Sequence, residues 1–346
     1  MTVNQHSCVV VGAGMSGLMA ARTLQAGGVR VKVLDKGRGV GGRLATRRSG
    51  VGVFDHGAQF FTVRDENFQR LVDELIDAGI VSVWCRGFAD ETGAARDDGH
   101  PRYFAHGGMT AMAKYLARGL DVQTGVRITA LTKHVDDWEL IAESGETWRA
   151  GNLILTSPVP QSLQLLATRG IALPSKIGSA LEAITYDPCI ALLVLLDAGT
   201  SGVPEPGGVK IARYFGDANA SPAPVEGEPL AWLADNHRKG ISPDASAVTI
   251  HAGPDFSRAH FAEDDETVTQ LIIEAASLRW IDRRKVREAQ VKRWRYSKPV
   301  HVYPERCLMI PELSLAFAGD AFGAPRIEGA ALSGLAVADV LLKNVT

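Results

Sequence analysis

The sequence predicts an α/β fold, with a doubly wound domain of parallel sheet and a second domain of antiparallel sheet plus helices. Three observations carry this. Two apolar, β-rich runs, Ser7–Val11 and Val29–Leu34, flank a glycine-rich turn and a segment of helical spacing. A second strand, turn and helix pattern closes the chain over Leu315–Leu341. Between them, strand-like runs at Ala183–Leu196, Leu230–Ala234 and Ala247–His251 precede a helical run at Asp264–Trp280. That order suits an antiparallel sheet carrying helices on one side.

Bulk properties narrow the class. The chain has 346 residues and is 46% hydrophobic, enough for a substantial core. Its 37 basic and 39 acidic side chains leave it near neutral, so nothing draws it as a whole to nucleic acid or an acidic membrane. Cys8, Cys85, Cys189 and Cys307 are scattered, with no C-x-x-C spacing, so neither a metal site nor a dithiol motif is signalled. Isolated cysteines of this kind suit a reducing cytosol. The N-terminal apolar run is broken by glycines and has no signal-peptide framing. The longest clean apolar run, Ile190–Leu196, is far short of the roughly 20 residues a membrane helix needs. A cytoplasmic protein is expected.

The first element to justify is the turn after Val11. Gly12-x-Gly14-x-x-Gly17 follows a strand and opens the helix of "MSGLMAARTLQA", which Gly27-Gly28 stops. Gly12 makes the tight turn, Gly14 (with Ala13 beside it) lets backbone approach a pyrophosphate, and Gly17 lets helix and strand pack closely. The helix N-terminus points unpaired N–H groups at the phosphates, and Ser16 adds a hydroxyl donor. Asp35, at the end of the second strand, is placed for a ribose 2′-OH and disfavours a 2′-phosphate. To this point the ligand is FAD or NAD rather than NADP.

The next loop separates these two. "DKGRGVGGRLAT" contains Arg38-x-x-Gly41-Gly42-Arg43-x-x-Thr46, directly after Lys36. It resembles the loop that closes over the FAD pyrophosphate in the flavin-containing amine oxidases. Glycines let the backbone come close, and an arginine fork neutralises phosphate charge. Gly57, Ala58 and Gln59 in "DHGAQFFT" match the family segment beside the flavin ring. "AHGGMTAMAKYLA" resembles the segment that begins the returning helix. Val126, in the strand-like "VQTGVRITAL", matches the valine whose backbone meets the adenine. Near the C-terminus, Gly319-Asp320 ends a strand, its acid meeting the ribityl or pyrophosphate. Ile327, Glu328, Gly329 and Ala330 begin a helix aimed at the flavin pyrimidine. A positive helix end there would stabilise reduced, anionic flavin. The resemblance implies a Rossmann-type FAD-binding domain assembled from 1–60, 103–156 and 297–346. The substrate domain, 61–102 and 157–296, would be of the p-hydroxybenzoate hydroxylase and amine oxidase type.

Within that superfamily, "VLDKGRGVGGRLAT", "GAQFFT", "LAWLADNHRKG", "VTIHAGPDFSRAHF" and "VKRWRYSKP" resemble the renalases and their bacterial relatives. The likeness covers nearly the whole chain. It implies an FAD-dependent oxidase that takes hydride from 2- or 6-dihydro isomers of NAD(P) and reduces dioxygen to hydrogen peroxide. The His237–Lys239 tripeptide departs from the serine-rich stretch found there. An amine oxidase acting on a small amine is the alternative. Those enzymes place an aromatic residue two positions before E-G-A, where this chain has Arg326, which would repel an ammonium and welcome an anion or carbonyl. Some also attach FAD through a cysteine near the C-terminal signature. Cys307 lies upstream of Gly319-Asp320, so non-covalent FAD is expected.

A reductase with a docked nicotinamide coenzyme would carry a second G-x-G-x-x-G domain, and only one such motif is present. An FAD-bearing sensor or binding protein is the non-enzymatic alternative. Candidate pocket residues are Gln59, Phe60, Trp294, Tyr296 and Arg326. For Trp294 and Tyr296, core packing and stacking on a ring are both open. His56 and His106, beside glycine turns, read more simply as satisfied buried histidines. The basic run Arg279–Arg295 reads as a solvated helix and strand, or as steering for a phosphate-bearing substrate. Hydride can pass directly between ring atoms held about 3–3.5 Å apart, so no catalytic acid or base and no metal is assigned.

Overall fold

The computed structural model describes residues 4–211 and 229–345, so 212–228 of the loop expected over Gly199–Pro229 lie outside the described residues. The chain opens with β1 (Asn4–Val11), α1 (Met15–Ala26) and β2 (Val31–Asp35). A hairpin of β3 (Thr46–Ser49) and β4 (Gly52–Asp55), then α2 (Glu66–Asp77), β5 (Val81–Cys85), β6 (Arg102–Ala105), α3 (Thr110–Leu116) and β7 (Asp121–Thr124) follow. A meander of β8 (Ile128–Lys133), β9 (Trp138–Ala142) and β10 (Thr147–Leu155) leads to α4 (Val159–Ala167) and α5 (Ser175–Glu182). Next come β11 (Tyr186–Leu196), β12 (Gly208–Lys210), β13 (Leu230–Asp235), β14 (Ser246–Ala252), α6 (Pro254–Ala259), α7 (Asp265–Ser277) and β15 (Val286–Pro299). β16 (Leu308–Ile310), β17 (Leu315–Phe317) and α8 (Ile327–Val345) complete it.

The first sheet has the order β16-β17-β10-β1-β2-β7, and β17, β10, β1, β2 and β7 run parallel. Val9 and Val10 of β1 are fully buried, as a central parallel strand covered on both faces requires. β17 thus joins the same sheet as β1, so strands from both ends of the chain build this sheet. The sheet branches at β10, where β9 and then β8 extend it off this path. Its C-terminal half pairs with β17 (Leu153↔Leu315) and its N-terminal half with β9 (Trp148↔Leu140). The single strand expected over Val122–Leu131 is divided into β7 and β8 by a turn at Gly125, whose φ of +73° suits glycine.

The second sheet is antiparallel and five-stranded, ordered β12-β13-β14-β11-β15. Alternation separates its faces. Val248 and Ile250 of β14, with Ile190, Leu192 and Val194 of β11, pack with Val268 and Ile272 of α7. Ala247 and Leu193 turn the other way, onto Phe54 of β4. The basic run Arg279–Arg295 holds a short 3-10 turn and then β15, a strand rather than a helix followed by a strand.

Two expected domain boundaries move. Phe68, Leu71, Val72 and Leu75 of α2 share a core with α1, α3 and α8. Leu166 of α4 and Leu181 of α5 pack with the β8–β9–β10 meander and β17. Both helix regions were expected in the substrate domain, but their apolar stripes are buried against the nucleotide-binding sheet. Among the described residues, no helix is long and apolar enough to cross a membrane.

Candidate active site at the domain junction

The glycine turn is tight, and α1 packs directly on it. Gly12 adopts φ +115° and donates its amide to Leu34 at 2.8 Å. A Cβ on Gly17 would lie 1.9 Å from the Gly12 carbonyl oxygen, so helix and turn touch directly. A Cβ on Gly14 would meet no protein atom within 4 Å and would project into the cavity that Gly14 lines. Ser16 is buried in the first turn of α1, and its hydroxyl has no protein partner among the described residues. Gly14→Ala should therefore fold normally but hold dinucleotide weakly, whereas Gly17→Ala should lose stability as well. Thermal unfolding of the two apoproteins, with flavin content of the two holoproteins, checks the contrast.

Asp35 knits the two glycine loops together. Its Oδ2 accepts from the Ala13 amide and its Oδ1 from the Gly37 amide, both at 2.6 Å. Each oxygen keeps a further lone pair for a ribose hydroxyl. The Gly41 amide donates to the Ala13 carbonyl at 2.8 Å, laying the arginine loop across the first turn. Lys36 reaches Gln161 at 3.0 Å, and Arg38 and Gly42 line the cavity. Val126 donates its amide to the Asp35 carbonyl at 2.8 Å, so its own carbonyl is what it offers a ligand. Arg43 forms a fork with Asp320, at 2.7 and 2.6 Å, and also donates to the Ser297 carbonyl at 3.0 Å. The two residues assigned to the cofactor from opposite ends of the chain thus hold each other.

The Asp55–Gln59 segment is locked from several sides. A Cβ on Gly57 would lie 2.1 Å from the Arg43 carbonyl oxygen, and Ala58 donates its amide to that carbonyl at 2.8 Å. The Asp55 and Lys239 side chains are both 0% exposed, with Nζ 2.6 Å from Asp55 Oδ2. The same Nζ donates to the Gln59 carbonyl at 2.6 Å and lies over the Trp84 ring. Asp55 Oδ1 accepts from the Thr46 hydroxyl at 2.6 Å and the Met109 amide at 2.8 Å. Burial pulls the Lys239 ammonium below its usual pKa, against the opposing pull of Asp55.

His56 stacks on Trp294, ring centroids 5.2 Å apart, and its carbonyl accepts from the Trp294 indole at 2.8 Å. Its Nδ1 is buried with no protein partner among the described residues, so it is not the satisfied histidine expected. Burial, with Lys292 and Arg47 nearby, lowers its pKa to about 4. His251 is likewise lowered to about 4 by burial, so both imidazoles are neutral at ordinary pH. His106, expected to be buried, is exposed and pairs with Ser82 at 2.7 Å.

Arg326, Ile327, Glu328 and Ala330 bring the N-terminus of α8 to the cavity wall, with Gly329 inside its first turn. Glu328 accepts from the Arg64 and Asp65 amides at 2.6 and 2.8 Å, tying α8 to the entry of α2. The Gly319 amide donates to Ser333 in α8 at 2.8 Å. Tyr296 meets Tyr186 edge-on, and Phe60 packs against Phe88 and Trp232. Of these, Phe60, Phe88, Trp232, Trp294 and Tyr296 line the cavity. Cys307 does not line it, packing instead against the core of the first sheet.

Sequence reading missed Asp55, Lys239 and His251. Lysine is almost never fully buried, so a lysine in a polar turn carries no sign of burial. The alternation of β14 does place His251 on the inward face with Ala247 and Thr249.

The glycine turn, the arginine loop, the His56–Gln59 segment and the N-terminus of α8 surround a cavity of about 3250 Å³. A drug-sized ligand fills about 300–1,000 Å³, so there is room for a dinucleotide and more. The orphaned Ser16 hydroxyl, the open space at Gly14 and two helix N-termini on one wall fit a bound FAD. Fold and site together define an FAD-dependent oxidoreductase. The flavin containing amine oxidoreductase family profile matches residues 85–342, and an NAD(P)-binding Rossmann-like profile matches residues 10–75. The chain belongs to the flavin containing amine oxidoreductase family. It is 23% identical to mouse renalase over 97% of this chain and 99% of that one. Putrescine oxidase of Kocuria rosea is 42% identical over 74 residues, 21% of this chain and 16% of that one. Among solved structures, putrescine oxidase bound to putrescine superposes with a TM-score of 0.70 at 14% identity, covering 99% of this chain and 100% of that one. Cyclohexylamine oxidase of Brevibacterium oxydans gives 0.72 at 11% identity, over 98% and 99%.

Proposed function

We propose that this protein is an oxidase of dihydronicotinamide dinucleotides, taking hydride from 2- or 6-dihydro isomers of NAD(P) and reducing dioxygen to hydrogen peroxide. The observation that carries the reading is the charge of the cavity wall beside α8. Arg326 and Lys298 line it together, and burial pulls the Lys298 pKa down, with the Arg326 guanidinium adding to this against the opposing pull of Asp187. Arg258 joins them across Asp187, 2.5 Å away. Arg258 also pairs with Asp255, and three cations against these two carboxylates leave the wall net positive, which suits a phosphate group and opposes an ammonium. Across the cavity, Asp90 and Asp98 pair with Arg96 and Arg102 rather than waiting for a cationic substrate.

Bound FAD would supply the hydride acceptor and pass the electrons on to dioxygen, and it would be held non-covalently. The chain's own residues orient and desolvate the substrate. The neutral His56 and His251, with Gln59, offer hydrogen bonds without a competing charge, and Trp294 offers a ring face. No side chain needs to move a proton in the hydride step. Amine oxidation is the second reading, favoured by the aromatic cluster of Phe60, Phe88 and Trp232 and by the likeness to putrescine and cyclohexylamine oxidases. Anaerobic mixing of the holoenzyme with borohydride-generated NAD(P)H isomers, and separately with small amines, tests the two. Rapid bleaching of the flavin by the isomers alone is expected. Bleaching by amines alone would overturn the proposal, and bleaching by neither would point to a sensor.

A further inference from the structure

Gln59 is 6% exposed, lines the cavity and has only one possible orientation. Its Nε2 donates to the Asp55 carbonyl at 2.6 Å and to the Gly57 carbonyl at 3.1 Å. Flipping the amide would set its oxygen against two carbonyl oxygens, so Oε1 must point the other way. Oε1 is buried and has no protein partner among the described residues. An acceptor left so costs free energy unless a ligand donor meets it. The segment cannot relax to satisfy it, because Lys239 holds the Gln59 carbonyl at 2.6 Å and Asp55 at 2.6 Å. Thr249 adds a bond to the Asp55 carbonyl at 3.0 Å, and Asn236 holds Thr249 at 2.9 Å. His56, on the same segment, presents a second buried unpartnered atom, Nδ1.

We propose that Gln59 is a specificity-determining residue whose Oε1 accepts from the N–H of a primary carboxamide on the substrate ring, with Lys239 as the positioning residue that holds it there. This rests on the dihydronicotinamide reading, since the nicotinamide ring carries such a group, next to the hydride-bearing carbon of the 2-dihydro isomer and across the ring from that of the 6-dihydro isomer. Lys239 acts through the main chain and does not touch substrate. The pair selects by an unmet acceptor, which a ring lacking an N–H donor leaves unsatisfied. Sites built this way reject analogues without the donor far more strongly than apolar pockets reject extra bulk.

The test uses oxidised holoenzyme and two probes, NAD⁺ and its 3-acetylpyridine analogue, in which a methyl replaces the amide nitrogen. Dissociation constants come from perturbation of the flavin absorbance, with no turnover required. Wild type should prefer the carboxamide by about tenfold to about a hundredfold. Gln59→Leu should bring the ratio near one. Lys239→Arg should keep most of it, and Lys239→Met should lose it. Equal binding of the two probes by wild type, or no binding of either, overturns the proposal even if every variant fails to fold. A preference for the carboxamide that persists where the dihydro isomers do not reduce the flavin would sink the oxidase reading and leave this one standing.

Discussion

Lys239→Met should destabilise the holoenzyme by about 3–5 kcal/mol, the usual cost of removing one member of a fully buried ion pair. Asp55 and Lys239 have no exposed side-chain surface, and the substitution leaves the Asp55 carboxylate inside with only the Thr46 hydroxyl and the Met109 amide to offset its charge. Asp55 ends the β3–β4 hairpin, and Lys239 lies in the turn that follows β13 of the second sheet. The loss should therefore loosen the junction between domains. A double-mutant cycle with Asp55→Asn separates pairing from packing. The asparagine keeps a carbonyl oxygen for the Met109 amide but carries no charge, so the Lys239→Met/Asp55→Asn protein should lose less than the sum of the single losses. A coupling of about 1–3 kcal/mol is expected in urea unfolding at fixed FAD concentration. Strict additivity would mean that the pair contributes only its separate packing.

The same pair shows where sequence reading stops. The nucleotide-binding half was legible because its signals are local. A strand, three spaced glycines and a helix dictate their own geometry, and a Cβ at Gly17 would strike the Gly12 carbonyl wherever the rest of the chain went. The antiparallel sheet was legible from strand-like runs followed by a helical run. What could not be read was which polar side chains turn inward, because that depends on partners almost two hundred residues away. Lys239 stood out only as a departure from a resemblance, and nothing near it in sequence shows that Asp55 would meet it. The arginine loop is an intermediate case. Its spacing was plain, but Arg43 and Asp320 each read as a contact to cofactor, and neither reading contained the bond between them.

That bond yields the second large effect. Arg43→Ala should raise the FAD dissociation constant about 10–100-fold, the loss expected for a charge-assisted contact, and lower stability by about 2 kcal/mol, less than a fully buried pair because Arg43 retains 30% of its side-chain exposure. Two causes give the same FAD loss. Arg43 can meet the pyrophosphate directly, or it can neutralise Asp320, whose bare carboxylate would otherwise repel phosphate across the cavity both residues line. Asp320→Asn in the Arg43→Ala background separates them. If neutralisation is the role, the second change restores most of the FAD affinity. If direct contact is the role, affinity stays low or falls further. Arg43→Lys sharpens the choice, because a lysine keeps the charge but cannot reproduce the two-pronged geometry toward Asp320 or the third bond to the Ser297 carbonyl. Nearly normal affinity in Arg43→Lys, with stability still reduced, would assign the charge to the cofactor and the fork to the fold. Fluorescence titration of the apoproteins with FAD, alongside urea unfolding, reads both quantities on the same preparations.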